Sequence, residues 1–162
     1  MKPLTEDDIR EAIVNVEPRE IERLTLPGLH EVVWEDREYL GWRDPGSPQR
    51  GYIVFWDGDE PVGIMVRAAT STLRPGPAMC SLCQTAQPSD QVVLFSAPRV
   101  GAAGIKGDSV GTYICADLGC SFLIRMATGA HGTADPSIVV AHRAAGLSAR
   151  LASFAGRVRA AA

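Results

Sequence analysis

Four cysteines carry the clearest chemistry in the 162-residue chain. They fall as two pairs, Cys80-Ser81-Leu82-Cys83 and Cys115-Ala116-Asp117-Leu118-Gly119-Cys120, with thirty-one residues between them. Thiolates are soft ligands, and four of them close a tetrahedral zinc site at about 2.3 Å from the metal. A C-x2-C turn brings two sulfurs around one vertex, and the second pair supplies the other edge. Four protein thiolates leave no open position for substrate, so such a metal is structural and its binding contributes directly to folding. Competing chemistries use the same residues. Two disulfides need an oxidising compartment, an iron–sulfur cluster also accepts four thiolates, and a redox C-x-x-C needs a βαβ context that the pattern lacks. One structural Zn2+ on Cys80, Cys83, Cys115 and Cys120 is expected, with a cluster and disulfides or free thiols as the alternatives.

Nothing else in the chain assembles a reaction centre. His30, His131 and His142 are scattered, and none stands at ligand spacing from a cysteine. There is no phosphate-binding glycine loop, no nucleophile elbow, no zinc-protease helix and no dinucleotide fingerprint. Ser121, next to Cys120, has no neighbouring base to activate it. The chain therefore reads as a non-enzyme with no small-molecule substrate.

The elements that must position the cysteines follow from pattern. Thr5 caps a first helix, with Asp8 completing a capping box and Ile9, Ala12, Ile13 and Val16 on one face. Pro18 opens a second short helix that ends at Pro27-Gly28, with Ile21 and Leu24 inward. Residues 31–40 suit either a third short helix or an extended arm, and 41–48, punctuated by proline and glycine, read as a loop. Tyr52–Trp56 and Val62–Val66 form a hairpin with a longer loop. Residues 75–90 read as loop around the first cysteine pair. Val92–Phe95 and Val110–Ile114 are two further strands, joined by a glycine-rich connection containing Lys106. Cys115 thus ends a strand, Cys120 opens the next apolar segment, and Phe122, Leu123 and Met126 suggest a short helix after the second cysteine pair. A cysteine turn, two strands and a helix whose start holds the last ligand follow one another in the order of a treble clef. After a linker at 129–136, Ser137 begins a long helix with Val140, Ala144, Leu147, Leu151, Phe154 and Val158 as its apolar stripe. Arg143, Arg150 and Arg157, seven apart, share another face. Trp34, Trp42 and Trp56 read as core or loop anchors.

The fold class is accordingly α+β: short N-terminal helices, an antiparallel sheet with a treble-clef-like four-cysteine finger, and a long C-terminal amphipathic helix. Residues 1–29 form the helical segment and 30–162 the zinc-finger unit. Apolar residues make up 46% and charged residues 22%, enough for a core. No run is long enough to span a membrane, and the polar, acidic start does not read as a secretory leader, so a cytoplasmic location is expected. Net charge is −3, but it is split. Residues 1–60 carry 7 Lys/Arg against 15 Asp/Glu, and residues 61–162 carry 9 against 4. A basic back half is suited to an anionic surface.

Several of these stretches together resemble a known family. They are Tyr39-Leu40-Gly41-Trp42-Arg43-Asp44-Pro45, the strand Tyr52–Trp56, the Cys80–Cys83 turn, Val93-Leu94-Phe95, and Gly111-Thr112-Tyr113-Ile114 running into Cys115–Cys120. The chain resembles the FBP family, whose members carry a C-terminal treble-clef zinc finger that binds elongation factor G, as in the FusB-type fusidic acid resistance proteins. The resemblance covers roughly residues 30–130. It implies a cytosolic zinc protein that binds elongation factor G and helps to release it from ribosomes stalled by fusidic acid. The four cysteines carry over as zinc ligands, and Lys106, Tyr113, Phe122 and Arg125 are the expected contact residues. The chain departs from the family in its short N-terminal helical part and in the arginine face of its last helix.

Two functions follow from different classes. One is a translation-factor-binding module. The other is a direct RNA- or nucleic-acid-binding zinc protein using Arg143 and Arg150, with ribosomal RNA as the natural polyanion.

Overall fold

The computed structural model describes residues 1–71, 73–126 and 135–160. His131 and most of the 129–136 linker lie outside the described residues. Among the described residues there are seven strands: β1 (Leu40–Asp44), β2 (Ser47–Asp57), β3 (Glu60–Ala68), β4 (Pro77–Met79), β5 (Ala86–Pro88), β6 (Val92–Pro98) and β7 (Ser109–Cys115). The helices are α1 (Glu6–Ala12), α2 (Pro18–Glu22), α3 (Ala102–Ile105), α4 (Cys120–Met126) and α5 (Pro136–Arg159). The large sheet is antiparallel in the order β1-β2-β3-β6-β7, and β4 pairs with β5 apart from it.

Both faces of this sheet are covered. Successive side chains of a strand point to opposite faces, and β2 is buried without a break from Gly51 to Phe55. Ile53 and Phe55, with Ile64, Val66 and Phe95, join a core that includes the cysteines and Leu147, Leu151, Phe154 and Val158 of α5. Tyr52 and Val54, with Leu40, Trp42 and Met65, join a second core completed by Leu4, Ile9, Ile13 and Leu24. The N-terminal helices and the C-terminal helix thus sandwich one sheet. The tryptophans anchor the N-terminal segment. Trp42 stacks on Tyr52 and donates to the Thr25 carbonyl, and Trp56 donates to the Lys2 carbonyl.

Most local expectations hold. The capping box at Thr5 and Asp8 forms, and its hydrogen bonds from the Thr5 backbone and hydroxyl hold the Asp8 carboxyl below its ordinary range. The long helix starts one residue earlier than expected, with Asp135 as its cap. Its stripe is buried from Leu147 onward, and Ile138 stays exposed.

Four local readings change. Residues 41–48 are not a loop: β1 and the start of β2 occupy them, joined at Pro45-Gly46, because Trp42 is worth burying against Tyr52. The β2–β3 connection is a two-residue turn, since Gly58 takes a positive φ that lets pairing continue to Asp57 and Glu60. The glycine-rich connection after β6 contains α3, with Lys106 as its C-cap. Residues 75–90 contain the small β4–β5 pair that frames the first cysteine turn.

Candidate metal centre and its surroundings

The four cysteines converge from two places in the chain. The first turn leaves β4 at Met79, presents Cys80 and Cys83, and returns through β5. Gln84 follows Cys83 with a positive φ and donates its N–H to the Cys80 carbonyl, which closes the turn. Ser81 N–H bonds the Tyr113 carbonyl, docking the turn on β7. The N–H groups of Leu82 and Cys83 both point at the Cys80 sulfur, at 3.4 Å each. The second pair bridges the end of β7 and the first residue of α4. Asp117 accepts from Gly119 N–H, and Leu118 adopts a positive φ, so four intervening residues fold into a compact knuckle.

All four Sγ atoms lie within 4.8 Å of one another, and all four residues are buried. The Cys80–Cys120 and Cys83–Cys115 separations are 3.6 Å, and Cys115–Cys120 is 3.4 Å. A tetrahedron with 2.3 Å metal–sulfur bonds has edges of about 3.8 Å. The cluster has the size of a zinc cage. The four thiols perturb one another. Hydrogen bonding with Cys115 and Cys120 holds the Cys80 and Cys83 thiols low, while bonds to Cys115, Cys80 and Cys83, together with burial, push Cys120 up. Four thiolates cannot share this space unless a cation neutralises them, and a divalent ion supplies that charge. Gln87 Nε2 adds a donor 3.3 Å from the Cys115 sulfur.

One residue behind the cage was not singled out from the sequence as a site residue. The Tyr39 hydroxyl is buried, donates to the Leu118 carbonyl at 2.7 Å and accepts from Cys120 N–H at 3.3 Å. Burial, then the neighbouring charge on Cys120, raises its pKa well above the ordinary phenol value, so it stays a donor. Gly41 makes room for this arrangement: a Cβ there would lie 2.6 Å from the Tyr39 ring and 2.9 Å from the Leu118 carbonyl oxygen. Arg43 ties the same strand to the knuckle by donating to the Ala116 carbonyl, and its guanidinium lies over the Phe95 ring.

The FBP C-terminal treble-clef zinc-finger family model matches residues 8–158 of this chain. The chain belongs to that family. A zinc-finger family together with a four-cysteine cage means one structural zinc ion. The FBP fold also appears in the solved structure of the fusidic acid resistance protein FusC. The two superpose with a TM-score of 0.50 at 24% identity, covering 64% of this chain and 46% of FusC. The chain therefore matches less than half the length of that protein. No relative among the curated proteins matches it.

The expected contact residues of this FBP chain do not gather in one place. Phe122 and Arg125 line a shallow depression of about 430 Å³ with Val33, Asp36, Arg37 and Met126. Phe122, Met126 and Val33 are exposed there at 59%, 63% and 51%. Arg125 is committed internally, with a two-pronged pair to Glu38 at 3.0 Å, a 3.2 Å contact to Asp36 and a bond to the Ser121 carbonyl. Lys106 lines a separate depression with Asp108 and Arg159. Tyr113 lies partly exposed on β7, an edge strand. Arg143 and Arg150 border a third hollow, beside the first cysteine turn. Arg157 leaves that group: it bonds Ser153 and lies over Phe154. Among the described residues, no helix is long and apolar enough to cross a membrane.

Proposed function

We propose that this protein binds translation elongation factor G through its zinc-finger unit, in the cytoplasm and on or near the ribosome, without catalysing a reaction. The observation that carries the reading is the family match across residues 8–158. The fold shared with a fusidic acid resistance protein supports extending it to release of the factor and tolerance of fusidic acid. The exposed Phe122, Met126 and Val33 surface has the composition of an interface centre, with charged residues at its edge. Cys80, Cys83, Cys115 and Cys120 hold the zinc, and Phe122, Tyr113 and Lys106 face the partner.

The proposed division at residue 29 separates a helical segment from the zinc-finger unit. The two share the apolar core around Trp42 and Tyr52 and should unfold together. In this reading the metal stabilises the surface and takes no part in chemistry.

Calorimetric titration of the zinc-loaded protein with elongation factor G, at two salt concentrations, tests the proposal. One-to-one binding at micromolar affinity or tighter is the expected result. No heat of binding, with zinc content and folding verified, overturns it.

A further inference from the structure

A hollow of about 290 Å³ lies between the first cysteine turn and the middle of α5. Gln84 and Thr85 border it on one side, and His142, Arg143, Gly146 and Arg150 on the other. Cys83 of the metal cage and Ala86 also line it, and among the described residues no carboxylate does. Positions 143, 146 and 150 recur at three and four, so they share one helix face.

Part of the donor capacity here has no acceptor among the described residues. Arg143 Nη1 is buried and has no hydrogen-bond partner among the described residues. Arg150 spends its Nε on the Leu82 carbonyl at 2.6 Å. Its two terminal nitrogens lie against Gly146, where a Cβ would come within 2.9 and 3.2 Å of them. The guanidinium can rest flat on the helix because residue 146 has no side chain. Among the described residues, neither arginine forms an ion pair. Buried donors are normally satisfied, and an unsatisfied one is costly, so such a group marks a missing acceptor.

We infer that this hollow binds a phosphate group. Guanidinium forks match phosphate and carboxylate oxygens two at a time. A carboxylate offers two oxygens in one plane. A phosphate offers a tetrahedral set, which can meet donors arriving from two guanidinium planes and from His142 beside them. The metal cage takes the Thr85 hydroxyl at Cys83 and bonds from Leu82 N–H, Cys83 N–H and Gln87 at its other sulfurs, but neither guanidinium bonds a cage sulfur among the described contacts. The phosphate can belong to an RNA backbone or to a free phosphate, and the site is independent of binding to elongation factor G.

The test follows the Arg Nε–Hε signals of the zinc-loaded protein by NMR. It is titrated with inorganic phosphate, with acetate at matched ionic strength, and with a ten-nucleotide oligouridylate. Phosphate should shift the Arg143 and Arg150 signals saturably, and acetate should not. Tighter binding of the oligonucleotide, weakened about tenfold by Arg143→Gln and with a salt slope lower by about one, identifies an RNA backbone as the source. A response to phosphate without one to RNA supports the site with a small phosphate as its ligand. Gly146→Leu keeps both arginines and fills the cradle; it should abolish the phosphate shift with zinc content unchanged. The inference is overturned if phosphate leaves both signals in place, or if acetate matches it. It is equally overturned if Arg143→Gln releases zinc without changing phosphate binding, since the arginine would then serve only to balance the thiolates.

Discussion

The Tyr39 hydroxyl holds the Leu118 carbonyl at 2.7 Å, and through this bond the residue just before β1 helps to fix the shape of the second cysteine knuckle. The same oxygen accepts from the Cys120 amide, so one buried phenol satisfies two backbone groups of the metal-binding loop. Tyr39→Phe removes the hydroxyl and keeps the packing. It leaves two buried polar groups without a partner and should destabilise the zinc-loaded protein by about 1–3 kcal/mol. Urea unfolding measures this, and zinc transfer to a chromogenic chelator should also quicken. An unchanged midpoint would show that water or backbone rearrangement replaces the phenol.

Gly41 predicts a companion effect on the other side of the same contact. An alanine methyl would sit 2.6 Å from the Tyr39 ring and 2.9 Å from a backbone oxygen, so the knuckle has to move. Gly41→Ala should cost about 1–3 kcal/mol as an overpacked site. Gly156 offers the contrast, since nothing lies within 4 Å of a Cβ there. It lies inside α5 and, replaced by alanine, should gain about 0.5–1 kcal/mol from helix propensity. Thermal unfolding of the two variants should therefore move in opposite directions.

These two residues show what was legible in the sequence and what was not. The cysteine spacing identified the metal site because thiolate pairs a few residues apart meet around one ion whatever surrounds them. The strands around Ile53, Ile64 and Phe95 were legible because β-branched and aromatic runs between turn residues have few other uses. The role of Tyr39 was hidden because its partners are backbone atoms 79 and 81 residues away, and backbone atoms leave no trace in residue type. Residues 41–48 read as a loop because Pro45 and Gly46 punctuate them. Those residues form only the turn, while Trp42 beside them pairs with Tyr52. The positive φ of Leu118 was likewise unreadable: a leucine there is held by the knuckle around it and not by its own preference.

Zinc removal should unfold the protein and not merely loosen one loop, because all four cysteines belong to the core that packs α5 on the sheet. Mass spectrometry under native conditions should find one zinc per chain, and X-ray absorption should find sulfur ligands at about 2.3 Å. Cys120→Ser should lower zinc affinity and stability together. The pH dependence has a definite sign. The bound metal requires deprotonated thiols, so protons compete with it and affinity falls as pH is lowered. The zinc-linked part of the stability is thus present at neutral pH and lost on acidification. Unfolding midpoints independent of both chelator and pH would refute the structural role.

Arg125 and Phe122 are one helical turn apart on α4, yet their substitutions should behave differently. Arg125 is clamped to Glu38, whose side chain is only 8% exposed, and to Asp36. Arg125→Ala strands the Glu38 carboxylate and should cost about 2 kcal/mol of stability, with a weaker partner interaction only as a consequence. Phe122, at 59% exposure, contributes little to the fold. Phe122→Ala should leave the melting temperature within about 2 °C, corresponding to a surface change of at most about 0.5 kcal/mol. It should weaken binding of elongation factor G by at least about tenfold if it is an interface anchor. Lys106→Glu should act through charge, with a smaller loss that fades at high salt because exposed charges are screened. Stability and titration calorimetry on all three variants separate the cases. If Phe122→Ala binds as tightly as the parent, the apolar surface of α4 is not the docking face.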